Sequence, residues 1–125
     1  MTREQADRWV AAYVEAWRAP GTDTLENLFT PNATYSRQPY ENPVPQGLPA
    51  IAALWDEERN EGEEFDISHE IVAVESDTAV VRVHVQYRKP REQEYRDLWV
   101  IKLDADGLCT HYEEWPFFPH RPRVA

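Results

Sequence analysis

Two histidines and two acids in the second half of this 125-residue chain have the types and spacing for proton-transfer chemistry: His69, His84, Asp97 and Glu114. Each lies where apolar and polar residues alternate, so each projects from one face of a strand. A carboxylate beside an imidazole orients the ring and raises its basicity, giving a general acid or base near neutral pH. His84 with Asp97 is the pair this reasoning favours. Tyr13 or Tyr35 can supply a hydroxyl to a substrate oxygen, and Trp99 a flat surface for stacking. The same residues have plainer uses. Arg82, Arg88, Asp97 and Glu114 can form a satisfied ion network with the histidines as hydrogen-bond fillers, or the group can bind a ligand without acting on it. Two imidazoles and a carboxylate also suit zinc or iron. No local spacing motif supports such a site, so neither metal nor cofactor is expected.

Short turns set which of these side chains meet. A two-residue turn at Ser76-Asp77 places Glu75 opposite Thr78, hence Ile71 opposite Arg82 and His69 opposite His84. Setting Lys89 against Glu94 pairs Gln86 with Asp97 and His84 with Trp99. Setting Leu103 against Leu108 pairs Trp99 with Tyr112 and Asp97 with Glu114. One face then carries His69, Arg82, His84, Gln86, Asp97, Trp99, Tyr112 and Glu114, with Ile67, Ile71 and Ile101. The other carries Val72, Val74, Val81, Val83, Val85, Tyr87, Leu98 and Val100, with Cys109, His111, Glu113 and Trp115. The mixed face is expected under helices as a polar-aromatic pocket, to which Tyr13, Tyr35 and Trp55 contribute. The aliphatic face is expected to dock on a second copy of the chain, because a bare stripe of that size signals association.

The elements that hold these strands read as three helices followed by a meander. Residues 3–19 carry Trp9, Ala12, Tyr13, Ala16 and Trp17 at helical spacing, with Thr2 as N-cap and Pro20-Gly21 as the stop. Residues 22–29 read as a short second helix, and residues 48–60 as a third with Pro49 in its first turn. Between them, residues 33–36 have strand character before a Pro-rich loop that ends at Gly47. Strands are expected over 65–75, 78–89, 94–104 and 108–115, with a hairpin at Asp104-Ala105-Asp106-Gly107. This is an α+β pattern in a single domain, 1–125, whose residues 116–125 form an extended Pro-rich tail.

Composition narrows the partners. Thirteen Lys and Arg against 23 Asp and Glu leave a net charge of −10, which disfavours nucleic acid and anionic lipid. No apolar run approaches the roughly 18 residues of a membrane span, and the start of the chain lacks a secretory pattern. The lone Cys109 excludes an internal disulfide. A cytoplasmic protein that binds a small molecule and forms a homodimer is the expectation.

Four segments in this order carry a resemblance: the helix Trp9 to Trp17, then Leu28-Phe29-Thr30-Pro31-Asn32-Ala33-Thr34-Tyr35, then Gly47 to Trp55, then Asp97 to Gly107 leading into Glu113-Glu114-Trp115. With them the chain resembles the nuclear transport factor 2-like superfamily, in its SnoaL-like branch. The resemblance implies a cone of curved antiparallel sheet closed by three N-terminal helices (a cystatin-like roll), a pocket at the open end and frequent homodimers. It implies a small-molecule-binding protein with acid/base catalysis of isomerase, lyase or cyclase type, or else a non-catalytic dimerising ligand-binding or interaction domain. Tyr13 falls where ketosteroid isomerases place their oxyanion-binding tyrosine. The two acids of those isomerases fall near Arg37 and on Trp99, so that mechanism is not implied. Asp97 is instead similar to the strand acid of the cyclases.

Overall fold

The structure is a computed structural model and describes residues 1–119. In chain order it comprises α1 (Arg3–Arg18), a 3-10 turn (Asp23–Asn27), β1 (Phe29–Ser36), α2 (Leu48–Glu58), β2 (Glu64–Glu75), β3 (Thr78–Lys89), β4 (Gln93–Leu103) and β5 (Cys109–Phe117). The five strands form one sheet in the order β1-β5-β4-β3-β2, with β1 parallel to β5 and the other neighbours antiparallel. The α+β class and the curved-sheet architecture expected above are present.

Helix α1 begins in a capping box: Thr2 Oγ1 accepts from Gln5 N–H while Gln5 Oε1 accepts from Thr2 N–H. Its buried stripe is Ala6, Trp9, Val10, Tyr13 and Ala16. Helix α2 starts at Gly47, whose φ of 91° suits glycine and whose N–H donates to Ala33 O at 2.8 Å. Ile51, Leu54 and Trp55 are its inward face. Both helices lie on the concave side of the sheet. The second expected helix is a single 3-10 turn, so there are two α-helices rather than three. Thr22 makes no side-chain cap there, and Phe29 already belongs to β1 opposite Cys109. That leaves too few residues for a stable α-helix.

The strand register departs from expectation at two places. Near its turn β2 pairs as expected, Glu75 with Thr78 and Ala73 with Val80, but the register shifts at Val72, so that Ile71 faces Val81 and His69 faces Val83. Strands β3 and β4 pair Gln86 with Glu94, Val83 with Asp97 and Val81 with Trp99. Either odd shift turns β3 over relative to its neighbour. Val81, Val83 and Val85 therefore lie beneath the helices, at most 3% exposed, while Arg82, His84 and Gln86 occupy the convex face. Burial of the valines decides the orientation, since each is worth about 1.5–3 kcal/mol when removed from water. Strand β4 pairs with β5 two residues from the expected register, Trp99 with Glu114 and Ile101 with Tyr112. An even shift keeps Asp97, Trp99, Tyr112 and Glu114 on one face. Cys109 is buried rather than on the convex face, because the register changes between Leu103 and Lys102. Pro116 and Phe117 continue β5, and the rest of the expected tail beyond residue 119 lies outside the described residues.

Candidate active site

Between α1, the end of α2 and the concave sheet lies a cavity of about 710 Å³. Its floor is aromatic. Tyr35 from β1 stacks on Tyr112 from β5 with ring centroids 4.5 Å apart, and Tyr112 stacks on Tyr13 from α1 at 5.3 Å. Trp99 meets Tyr13 edge-on at 4.9 Å. The Tyr13 and Tyr35 hydroxyls are 2.5 Å apart and share a hydrogen bond. Burial holds the phenols of Tyr13, Tyr35 and Tyr112 well above the usual tyrosine range. All three remain neutral donors.

Two carboxyls meet on this wall. Asp97, 3% exposed, accepts from Trp99 Nε1 at 3.1 Å through Oδ2, an arrangement its position two residues earlier on the same strand face makes natural. Its Oδ1 has no hydrogen-bond partner among the described residues. Glu114 on β5 is its diagonal neighbour, close enough for the two carboxyls to act on each other's protonation. Burial pushes both upward from the ordinary carboxylate range. For Glu114 the rise is large, because Asp97 acts on it as acceptor and as charge and Glu58 adds a further negative charge, against some relief from Arg37. For Asp97 the bonds from Glu114 and Trp99 hold the rise back. Glu114 is therefore the readier of the two to hold a proton, and Asp97 the readier to carry charge. Such a pair is a base and an acid side by side, in a site lined largely by rings.

The cavity mouth carries charges that are mostly paired. Arg37 donates to Glu58 at 2.7 Å and to Glu41 through both its backbone N–H and its guanidinium, so two acids already pair with this one cation. Glu63 accepts from Trp17 Nε1 at 3.0 Å.

Six of the residues picked from sequence line this cavity: Tyr13, Tyr35, Asp97, Trp99, Tyr112 and Glu114. Five do not. His84 is on the convex face, bonded to Glu94 at 2.5 Å, so it cannot be the partner of Asp97. Arg82 pairs there with Glu70, and Gln86 donates to Tyr87 O at 3.1 Å. His69 does face α1, but it bonds Asp7 at 2.6 Å outside the cavity. Trp55 lies behind the wall, its ring against Tyr13 and Trp17. With His69 and His84 on opposite faces no shared metal ion is available to them, and no metal-holding cluster of His, Cys, Asp and Glu occurs among the described residues. Sequence reasoning missed Tyr95, Tyr87 and Arg37. Tyr95 was within reach, because Tyr95, Asp97 and Trp99 alternate on one face.

A model of the SnoaL-like domain matches residues 10–112. The chain belongs to this family. Solved structures of SnoaL-like and related proteins share its fold at low identity. An LEH-like epoxide hydrolase of M. tuberculosis is 16% identical over 91% of this chain and 84% of that one, with a TM-score of 0.71. A candidate SnoaL-like polyketide cyclase from Jannaschia sp. CCS1 is 18% identical over 90% and 85%, also at 0.71. The CaMKII hub of S. rosetta is 16% identical over 91% and 95%, at 0.67. A comparison with curated proteins gave no match. Among the described residues no helix of this SnoaL-like chain is long and apolar enough to cross a membrane.

Proposed function

We propose that the cavity binds a small molecule with a flat or apolar body and moves a proton to and from it, as an isomerase, lyase or cyclase would. Asp97 is the base, Glu114 the acid, and the Tyr13–Tyr35 hydroxyl pair binds a substrate oxygen. The observation that carries this reading is the pair of neighbouring acids in an aromatic cavity with no salt bridge to either among the described residues, since structural carboxylates are ordinarily matched by a cation. Neighbours named as an epoxide hydrolase and a candidate cyclase agree with it in fold. The test is native mass spectrometry of protein purified from its own host, wild type beside Asp97→Asn. A co-purified small molecule that is retained by the wild type and lost or changed in the variant is expected. An identical ligand load in both, or none in either, would count against the site.

The second reading concerns assembly. The convex face exposes Leu98 and Trp115 at 40% each and Phe117 at 63%, around half-buried Val80 and Val100. We propose that a second copy covers this face, with Trp115 as an anchor. The same spectra report it: a dimer is expected, and Leu98→Asp should shift the mass to that of a monomer.

A further inference from the structure

We propose that the cavity takes an organic cation, a protonated amine on a flat apolar body, with its ammonium seated against the Asp97 and Glu114 carboxyls. The proposal rests on the reading of this cavity as the ligand site. It begins with a counter-charge that is missing among the described residues. Asp97 is 3% exposed, lines the cavity, and has an Oδ1 with no hydrogen-bond partner among the described residues. A buried carboxylate without a cationic partner is a costly arrangement, and one that a cationic ligand would relieve. An ammonium brings three donors, enough to bond Oδ1 and the Glu114 carboxyl together.

The surroundings favour the same charge. Tyr95, Trp99, Tyr112 and Tyr13 line the space around the two acids, and ring faces attract cations in a desolvated site. Further along the wall stand Glu58 and Glu63. Arg37 is neutralised by Glu41 and Glu58, and Arg91 lies exposed on the rim. An anion would meet the charge of Asp97 and, among the described lining residues, only the exposed Arg91 on the rim to receive it. A neutral molecule would gain nothing from the charge. The volume of about 710 Å³ admits a two-ring body.

Three probes of one shape and different charge test this: naphthylmethylamine, naphthylmethanol and naphthoate, titrated calorimetrically into the protein at neutral pH. The amine is expected to bind roughly tenfold or more tightly than the alcohol, with no measurable heat from naphthoate. Asp97→Asn, close in shape to the native residue, should bring the amine down to the affinity of the alcohol. Alcohol or naphthoate binding as tightly as the amine would overturn the proposal while leaving the cavity as the ligand site. So would an amine preference that survives in Asp97→Asn. Failure of all three probes to bind would overturn the cavity reading and this proposal together.

Discussion

The two faces of the sheet use the same residue types to opposite ends. On the convex face His84 meets Glu94, Arg82 meets Glu70 and Arg88 meets Asp66, each acid with a basic partner and each pair open to water. On the concave face Asp97 meets Glu114, acid against acid, walled by rings. Exposed pairs of the first kind are worth about 0–1 kcal/mol and perturb little. The second kind costs stability and is tolerated where the fold can supply it from elsewhere, here from the stacked aromatic floor. The ion network that the sequence allows is thus divided by the sheet: its arginines are outside and its acids inside.

The largest way to break this contrast is to put a charge under the helices. Val83 is 1% exposed and faces Asp97 across β3 and β4. Val83→Glu would add a third acid to the dry side with no partner, and is expected to destabilise the protein by roughly 4 kcal/mol or more, or to prevent folding. Thermal or urea unfolding checks it. A stable monomer with unchanged unfolding would mean the valine stripe faces outward after all.

Much of the architecture was legible because its signals are local. Trp9, Tyr13 and Ala16 at helical spacing, with Thr2 and Gln5 ready to cap, mark α1 without tertiary help. So does the 104–107 turn, where Asp104 Oδ1 accepts from Asp106 N–H at 2.9 Å and Leu108 N–H at 3.0 Å. Half of the site followed, because a two-residue error in the β4–β5 register leaves Asp97, Trp99, Tyr112 and Glu114 together. His84 was lost to the three-residue shift in the β3–β4 register, which sets Val83 opposite Asp97, and its pairing with His69 was lost to the bulge at Val72, where no glycine announces it. A clue did exist. Trp9, Val10, Ile51 and Leu54 need an apolar floor, and Val81, Val83 and Val85 supply one where Arg82, His84 and Gln86 cannot.

Glu114→Gln sharpens the contrast through pH. Folded Glu114 keeps its proton well above the ordinary 4.5, because burial and Asp97 penalise its charge. The folded state therefore binds more protons than the unfolded chain over that interval, and the stability this residue contributes is full below 4.5 and declines as pH rises toward the folded value. Glutamine escapes the decline and still donates an N–H to Asp97. Between about pH 5 and about pH 8 the variant should gain on the wild type, by at most on the order of 1.4 kcal/mol for each pH unit climbed. Melting curves at both ends measure it; a gain that shrinks with pH would place the proton elsewhere. A smaller effect is expected from Tyr35→Phe. It removes one partner of the 2.5 Å bond with Tyr13 and should cost about 1 kcal/mol, read from the same melts, while leaving the ring stack on Tyr112 intact.

The smallest expected effect is at His84, the residue whose spacing alone would put it at the centre of the chemistry. Its imidazole and the Glu94 carboxylate are 42% and 37% exposed, so water solvates each when the other is gone. His84→Ala should change stability by less than about 0.5 kcal/mol and leave the affinity for naphthylmethylamine unaltered. Asp97→Asn, one strand away and on the other side of the same sheet, should abolish the preference for that amine. Binding that responds to His84 as strongly as to Asp97 would mean that the convex pair and the concave pair are coupled through the sheet. Because their side chains project from opposite faces and share no hydrogen bond in the structure, independence is the expected result.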